Sequence, residues 1–356
     1  MSSILYINFF RCTYDNREAF DLQQRNIILY KKELAKLQAV SYLVNNNLNI
    51  NDINNRFNIK SFHSNRMFFL IKTLFYIKKT KPQHVIIHGL DYFLEAGLIG
   101  FLFKLPVFLQ HHAEKTYLRK KSILMSVADN YISAYFFNGK ELAKPYLENK
   151  LIKAELKIIE IPEATTPFTL KVKHTTSTKR LVCIGRLNEN KNTITILKAI
   201  NLVKESRQDF HLSIFYGTSE LEHELKTYVD VNELHQFVSF KGTIRNQEIE
   251  SVLNQSDVFV SASLYEGSGF SLIEAMACGV YPIVSNIPAF QYLINGLEFK
   301  NQFEPTNEKE LAEKLHAVLD IDLNLHVRQS INLHFKKTSS AVAIAEKINA
   351  ILTLFK

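Results

Sequence analysis

The chain is expected to be α/β, with two domains of similar size that each carry a parallel sheet covered by helices. Three observations predict this. Short apolar runs rich in Ile, Val and Phe alternate with stretches of helical periodicity along the whole chain. The length of 356 residues suits two domains at roughly 100–200 residues each. A Thr-rich stretch at 163–179, EATTPFTLKVKHTTSTK, separates two sets of such runs and lacks helical periodicity.

The first set of strand candidates covers residues 4–9, 84–88, 107–110 and 157–161. The second covers 180–184, 211–216, 238–241, 258–261 and 281–285. Runs of four to six residues, each followed by a helical stretch, are what a sheet buried on both faces produces. The Asn-rich stretch 45–58 reads as a loop, and 66–79 as a helix with a broad apolar face. Apolar positions at helical spacing from Val342 to Leu352 predict a terminal helix. The resulting division is an N-terminal domain over 1–165, a linker over 166–179 and a second domain over 180–335. A helix over 336–356 follows, with a return to the first domain as one option.

Composition excludes several classes. With 46% hydrophobic and 22% charged residues the chain is neither disordered nor of low complexity. Cys12, Cys183 and Cys278 are far apart and form no CxxC, which argues against a disulfide scaffold or zinc ribbon and suits a reducing compartment. The opening residues show no charged leader and apolar core, and no stretch offers the ~18 apolar residues of a membrane span. These readings predict a cytoplasmic protein, with attachment to the inner face of the plasma membrane as an option. The net charge of +8 is uneven. Residues 1–170 carry 23 Lys and Arg against 14 Asp and Glu, a net +9, and 171–356 carry 20 against 21, a net −1. The basic half has neither a reading helix nor an aromatic RNA platform, so nucleic acid is not expected as a partner.

The chemistry concentrates at 261–294, SASLYEGSGFSLIEAMACGVYPIVSNIPAFQYLI. An apolar strand ends at a turn containing Gly267 and Gly269, and a helix runs from about Phe270 to a stop at Gly279. Free amides and the positive end of the helix dipole converge there on an anion, by default a phosphate. Glu266 and Glu274 frame the turn. Carboxylates beside a phosphate site suit hydroxyls flanking the phosphate, as on a ribose and a hexose. A second constellation is GRLNENKN at 185–192. Its strand ends at Gly185 and Arg186, with Lys191 five residues on, and two cations at the carboxyl end of a strand suit a diphosphate.

These motifs resemble the retaining glycosyltransferases of the GT-B fold in glycosyltransferase family 4, of the bacterial envelope-polysaccharide type. The resemblance covers about residues 178–300, on GRLNENKN, the pair Glu266 and Glu274 eight apart, EAMACG, and IPAFQYLI. It implies two Rossmann-like domains facing each other across a donor cleft, which close over the donor. It also implies a nucleotide diphosphate sugar, held mainly by the second domain, as substrate. Gly185, Arg186 and Lys191 would then meet the diphosphate, Glu274 the ribose, and Glu266 the transferred sugar. Gly267, Gly269, Phe270 and Ser271 would cradle sugar and phosphate. The nucleotide base has 242–245 as a candidate seat.

In the first half the resemblance is weaker. VFLQHHAEK at 107–115 is similar to the family's strand ending in a His beside the donor sugar, with His112 better aligned than His111. IEIPEATTPF at 159–168 is similar to the family's strand-and-proline close of the first domain, where Glu163 could face the cleft or serve only in the linker. The family's Gly-rich loop after the first strand is replaced by NFFRCTY at 8–14, where Arg11 or the amides of Cys12 and Thr13 could substitute.

The resemblance implies transfer with retention, and the sequence offers no evident nucleophile for a double displacement. In a front-side route the leaving diphosphate oxygen takes the acceptor proton, with Arg186, Lys191 and the helix N-terminus stabilising the developing charge. The catalytic set is thus Glu266, His112, Arg186 and Lys191. No metal and no cofactor is expected. The acceptor would be a glycan or lipid-linked glycan, and the basic first domain could meet an anionic membrane through 66–79 and 115–121. Two alternatives stay open: a catalytically silent GT-B subunit that stabilises a partner transferase, and a nucleotide-sugar epimerase or hydrolase.

Overall fold

The computed structural model describes residues 3–12, 33–46, 59–62, 64–111, 123–162, 168–172, 177–217, 219–299 and 301–355. The chain divides into two compact units. One is Met1–Thr165 with Ala341–Lys356, and the other is Thr166–Ser340.

Unit 1 carries the strands β1 (Ser3–Cys12), β2 (Ala39–Asn46), β3 (Ile59–Ser61), β4 (His84–His88), β5 (Val107–Gln110), β6 (Ala134–Phe137) and β7 (Ile158–Glu160). All pairs are parallel, in the order β3-β2-β1-β4-β5-β6-β7. The helices α1 (Arg66–Thr80), α2 (Phe93–Phe103), α3 (Ile123–Ala128) and α4 (Lys144–Glu148) lie between strands in the chain. Alternate strand residues point to opposite faces, so the sheet has two cores. Leu5, Ile7, Val85, Ile87 and Leu109 pack with Phe69 and Ile77 of α1, Phe93 and Ile99 of α2, and Ala128 of α3. Ile4, Tyr6, Ile86, Phe108 and Phe136 form the other core.

Unit 2 carries β8 (Lys179–Ile184), β9 (Phe210–Phe215), β10 (Val238–Gly242), β11 (Val258–Ser261), β12 (Tyr281–Ser285) and β13 (Gln302–Phe303). Its order is β10-β9-β8-β11-β12-β13, again parallel throughout. The helices are α5 (Thr193–Val203), α6 (Glu222–Val231), α7 (Asn246–Gln255), α8 (Phe270–Ala277), α9 (Pro288–Ile294), α10 (Glu308–Leu319) and α11 (Leu325–Thr338).

The terminal helix α12 (Ala341–Thr353) belongs to unit 1. It buries Ile344, Ala345, Ile348 and Leu352 against Ile86, Phe108 and Phe136. His84 Nε2 lies 2.7 Å from the carbonyl of Phe355, and the Phe108 and Phe355 rings meet edge to face at 5.2 Å. The terminal helix expected from the apolar spacing of Val342 to Leu352 is α12, and residues 336–338 close α11 instead.

Four strands escaped the sequence pattern. β6, Ala-Tyr-Phe-Phe, is four residues long and β13 only two, too short for periodicity to register. β2 corrects the Asn-rich loop expected from residue 45. Asn45 lies in the strand and is buried, because its amide pairs both ways with Ser64, donating to the carbonyl at 3.0 Å and accepting from the N–H at 3.1 Å. β3 begins at the far end of that Asn-rich stretch, at Ile59, and residues 47–58 lie outside the described residues.

Candidate functional site

In unit 2 the chain leaves β8 toward β9 on one side, while β11 flanks β8 on the other. The order reverses between β8 and β11, and the crevice beyond the carboxyl ends of two such strands is where open α/β sheets take ligands. The two motifs singled out in the sequence follow those two strands. Gly185 and Arg186 continue from β8, and residues 262–269 continue from β11 into α8.

The loop after β8 is short and tightly held. The Gly185 N–H donates to the Phe215 carbonyl at 3.0 Å. The Asn188 side chain accepts from the Lys191 N–H at 3.1 Å, which caps the turn Glu189–Lys191. This folds the stem of Lys191 over Gly185: a Cβ on the glycine would sit 3.4 Å from Lys191 Cδ and Cε. Arg186 is exposed beside it.

The loop after β11 is stitched to the first. The Leu264 N–H donates to the Asn190 carbonyl at 2.8 Å, and the Asn190 amide donates to the Tyr265 carbonyl at 2.9 Å. Across this seam Lys191 Nζ contacts Glu266 Oε1, with side chains only 17% and 10% exposed. The buried Ser263 hydroxyl donates to the same Glu266 oxygen at 2.6 Å, and Ser285 Oγ donates to the Ser263 carbonyl at 2.5 Å. Lys191 and Glu266, which the resemblance assigns to different parts of a donor, thus hold each other.

Beyond Glu266 the chain turns at Gly269, whose φ of 65° favours glycine. A Cβ there would also come within 3.0 Å of Phe290 and Leu293 on α9. The Leu272 and Ile273 N–H groups return to the Gly269 carbonyl at 3.0 and 3.1 Å. The amides of Phe270 and Ser271 precede these first bonds, at the positive end of α8. Glu274 stands one turn further on, half-buried. The far end of α8 is fixed by buried Arg328, which donates to the Cys278 carbonyl at 2.9 Å and to the Lys171 carbonyl at 3.2 Å.

The structure therefore brings Gly185, Lys191 and Glu266 together, with Gly267, Gly269, Phe270 and Ser271 continuing from Glu266. Sequence reasoning missed Ser263 and Asn190, which fix Glu266 and the seam. The available signal was a Ser three residues before a motif glutamate and an Asn adjoining a motif lysine. The candidate base segment at 242–245 follows β10, two strands from β8, and starts at Gly242 with φ 69°. Burial pushes the thiols of Cys183 and Cys278 up to about 12, so neither is a thiolate at neutral pH.

In unit 1, His111 at the end of β5 is buried, stacked on Phe137 at 5.1 Å and edge-on to Tyr146 at 6.0 Å. His112, Thr13, Glu163 and the cluster 115–121 lie outside the described residues. Arg11 and Cys12 end β1.

Residues 169–333 match the family described as Glycosyl transferases group 1, so this stretch is a group 1 glycosyl transferase domain. A relative in Saccharomyces cerevisiae, the phosphatidylinositol N-acetylglucosaminyltransferase GPI3 subunit, is 26% identical over 186 residues, covering 49% of this chain and 41% of that protein. The O-antigen biosynthesis glycosyltransferase WclY of Escherichia coli is 31% identical over 140 residues, covering 35% of this chain and 39% of its own. The chain thus spans about two fifths of the length of the curated relatives it matches. The solved structure of Anabaena HepE in complex with UDP superposes with a TM-score of 0.73 at 13% identity, covering all of both chains. Two parallel-sheet, Rossmann-like α/β domains match GT-B glycosyltransferase structures, as the motifs led one to expect.

Proposed function

We propose that the chain is a retaining glycosyltransferase that moves a hexose-type sugar from a nucleotide diphosphate donor to a glycan or lipid-linked glycan during polysaccharide synthesis. The observation that carries this is the pairing of Lys191 with Glu266 at the carboxyl ends of β8 and β11, beside the N-terminus of α8 and within a group 1 glycosyl transferase domain. The names of the relatives support the acceptor class, one acting on phosphatidylinositol and one serving O-antigen biosynthesis.

In this reading Arg186 grips the diphosphate by its fork and Lys191 by its point charge. The Phe270 and Ser271 amides add the helix terminus. As the bond from the anomeric carbon to the diphosphate breaks, these groups stabilise the charge that collects on the leaving oxygen. That oxygen accepts the proton of the acceptor hydroxyl, which attacks from the same face, and the configuration is retained. Glu266 accepts hydrogen bonds from the transferred sugar and Glu274 from the ribose. By the family resemblance, His112 is the first-domain candidate for a role at the sugar. The route calls for no metal and no cofactor. Burial of Cys183 and Cys278 in their protonated form fits a route without a thiolate nucleophile.

The decisive measurement is thermal shift against uridine, guanosine and adenosine diphosphates. A binder at 100 times its Kd stabilises by about 2.7 kcal/mol. A shift with one base that disappears in Lys191→Ala is expected. No shift with any of them favours a silent subunit instead.

A further inference from the structure

The helices α1, α2 and α3 pack into one core on a single face of the unit 1 sheet, so their outer sides look the same way. Such sides are normally polar. Here they are not. On α1, Met67, Phe68, Ile71 and Phe75 are exposed, Phe75 by 70%. Their spacing of one, four and eight residues places them along one stripe. On α2, Leu94, Leu98, Phe101 and Leu102 repeat the pattern, and on α3 Ile123, Leu124 and Val127 extend it, with Ile123 exposed by 85%.

The stripes are held at close spacing. A Cβ on Gly97 of α2 would come within 2.5 Å of Ala128 Cβ, and one on Gly100 within 2.1 Å of the Tyr131 carbonyl. Arg66 of α1 joins α2 by an ion pair with Glu95, one oxygen at 2.8 Å. Side chains exposed to this degree make an apolar surface of roughly 1,000 Å², beyond what a monomer ordinarily shows to water.

Charge decides the occupant. The three helices contain one carboxylate, Glu95, which is 6% exposed and spent on Arg66. In parallel units the helices run against the strands, so α1 and α2 end at the same edge of the face. Lys78, Lys79 and Lys81 lie at the end of α1 and Lys104 at the end of α2, all exposed. Two copies meeting through this face would set lysines against an apolar, carboxylate-poor surface. An apolar field rimmed by lysines matches the acyl region and the phosphates of an anionic bilayer. No helix among the described residues is long and apolar enough to cross a membrane.

We propose that the outer face of α1, α2 and α3 seats unit 1 on an anionic lipid bilayer, with the lysines at the headgroups and the three stripes in the interfacial layer. The proposal is separate from the donor reading, because it needs no nucleotide.

The test is co-sedimentation of the full chain with vesicles of phosphatidylglycerol and phosphatidylethanolamine, with phosphatidylcholine vesicles as the neutral control. Pelleting with the anionic vesicles is expected. The double substitution Phe68→Ser with Phe75→Ser should lower the bound-to-free ratio about ten-fold or more while leaving the melting temperature unchanged, since both rings are exposed. Lys78→Gln with Lys79→Gln should lower it less and make it less salt-dependent. Absence of pelleting, or pelleting that the phenylalanine substitutions leave intact, overturns the proposal. So does a wild-type dimer in sedimentation velocity that the same substitutions convert to monomer. Nucleoside diphosphate thermal shifts on the same variants report the donor site independently.

Discussion

Lys191 and Glu266 are 75 residues apart in the chain and in direct contact across the seam between the loops after β8 and β11. The pair is mostly buried, so each charge depends on the other for compensation. In Glu266→Gln the Lys191 ammonium loses that partner, and the melting temperature should fall. A bound diphosphate replaces the missing negative charge. The thermal shift by nucleoside diphosphate should therefore exceed that of the wild type, while sugar transfer falls about 10²–10³-fold. A smaller shift than wild type would place the phosphates elsewhere.

Arg186 is exposed next to Gly185. Its proposed task is in the transition state. Arg186→Ala should cost about 10²–10³ in kcat, roughly 3–4 kcal/mol. Steady-state kinetics that find kcat near normal would remove Arg186 from the reaction.

Gly269 combines a left-handed φ with a close approach to Phe290 and Leu293. Gly269→Ala meets both obstacles. The backbone strain alone is about 1–3 kcal/mol, before any displacement of α9. Denaturant unfolding should show a lower midpoint with an unchanged slope. An equal midpoint would mean that the turn relaxes freely, which the packing on α9 argues against.

The buried thiols make stability depend on alkaline pH. Burial raises Cys183 and Cys278 to about 12 in the folded chain, with Glu250 adding to the rise at Cys278. In the unfolded chain they ionise near about 8.5. The unfolded state thus loses protons first, and the stability that these groups contribute is full below the unfolded value. It declines as pH rises from about 9 toward 12, by up to ~1.4 kcal/mol per unit for each thiol. Urea midpoints measured across that window should fall faster in the wild type than in a Cys183→Ala, Cys278→Ala chain. At neutral pH a thiol reagent should modify at most one of the three cysteines in the native protein.

The strands at 84–88, 107–110, 258–261 and 281–285 appear with the bounds read from the sequence. Each carries three or four consecutive apolar residues, which is the signature of a strand buried on both faces. The start of α8 at Phe270 was legible from Gly269, because few other residues accept that backbone conformation. The contact of Lys191 with Glu266 was not legible. It exists because β8 and β11 are neighbours, and strand order is a property of the assembled sheet. Of the apolar field, the broad apolar face of 66–79 was legible, but its continuation on α2 and α3 was hidden for another reason. A stripe such as Leu94, Leu98 and Phe101 looks the same in a sequence whether a second layer covers it or not.

The return of α12 to unit 1 has a consequence for how the polypeptide matures. Unit 2 is continuous, so as synthesis proceeds it has all of its strands before the ribosome reaches Ala341. Unit 1 begins first but finishes last. Until α12 emerges, Ile86, Phe108 and Phe136 lack the Ile344, Ala345, Ile348 and Leu352 side chains that pack with them, while the whole of unit 2 is made. The usual order in which the leading domain folds first is thereby inverted. A ribosome stalled anywhere before Ala341 would carry a sticky half-built sheet, a ready client for a chaperone.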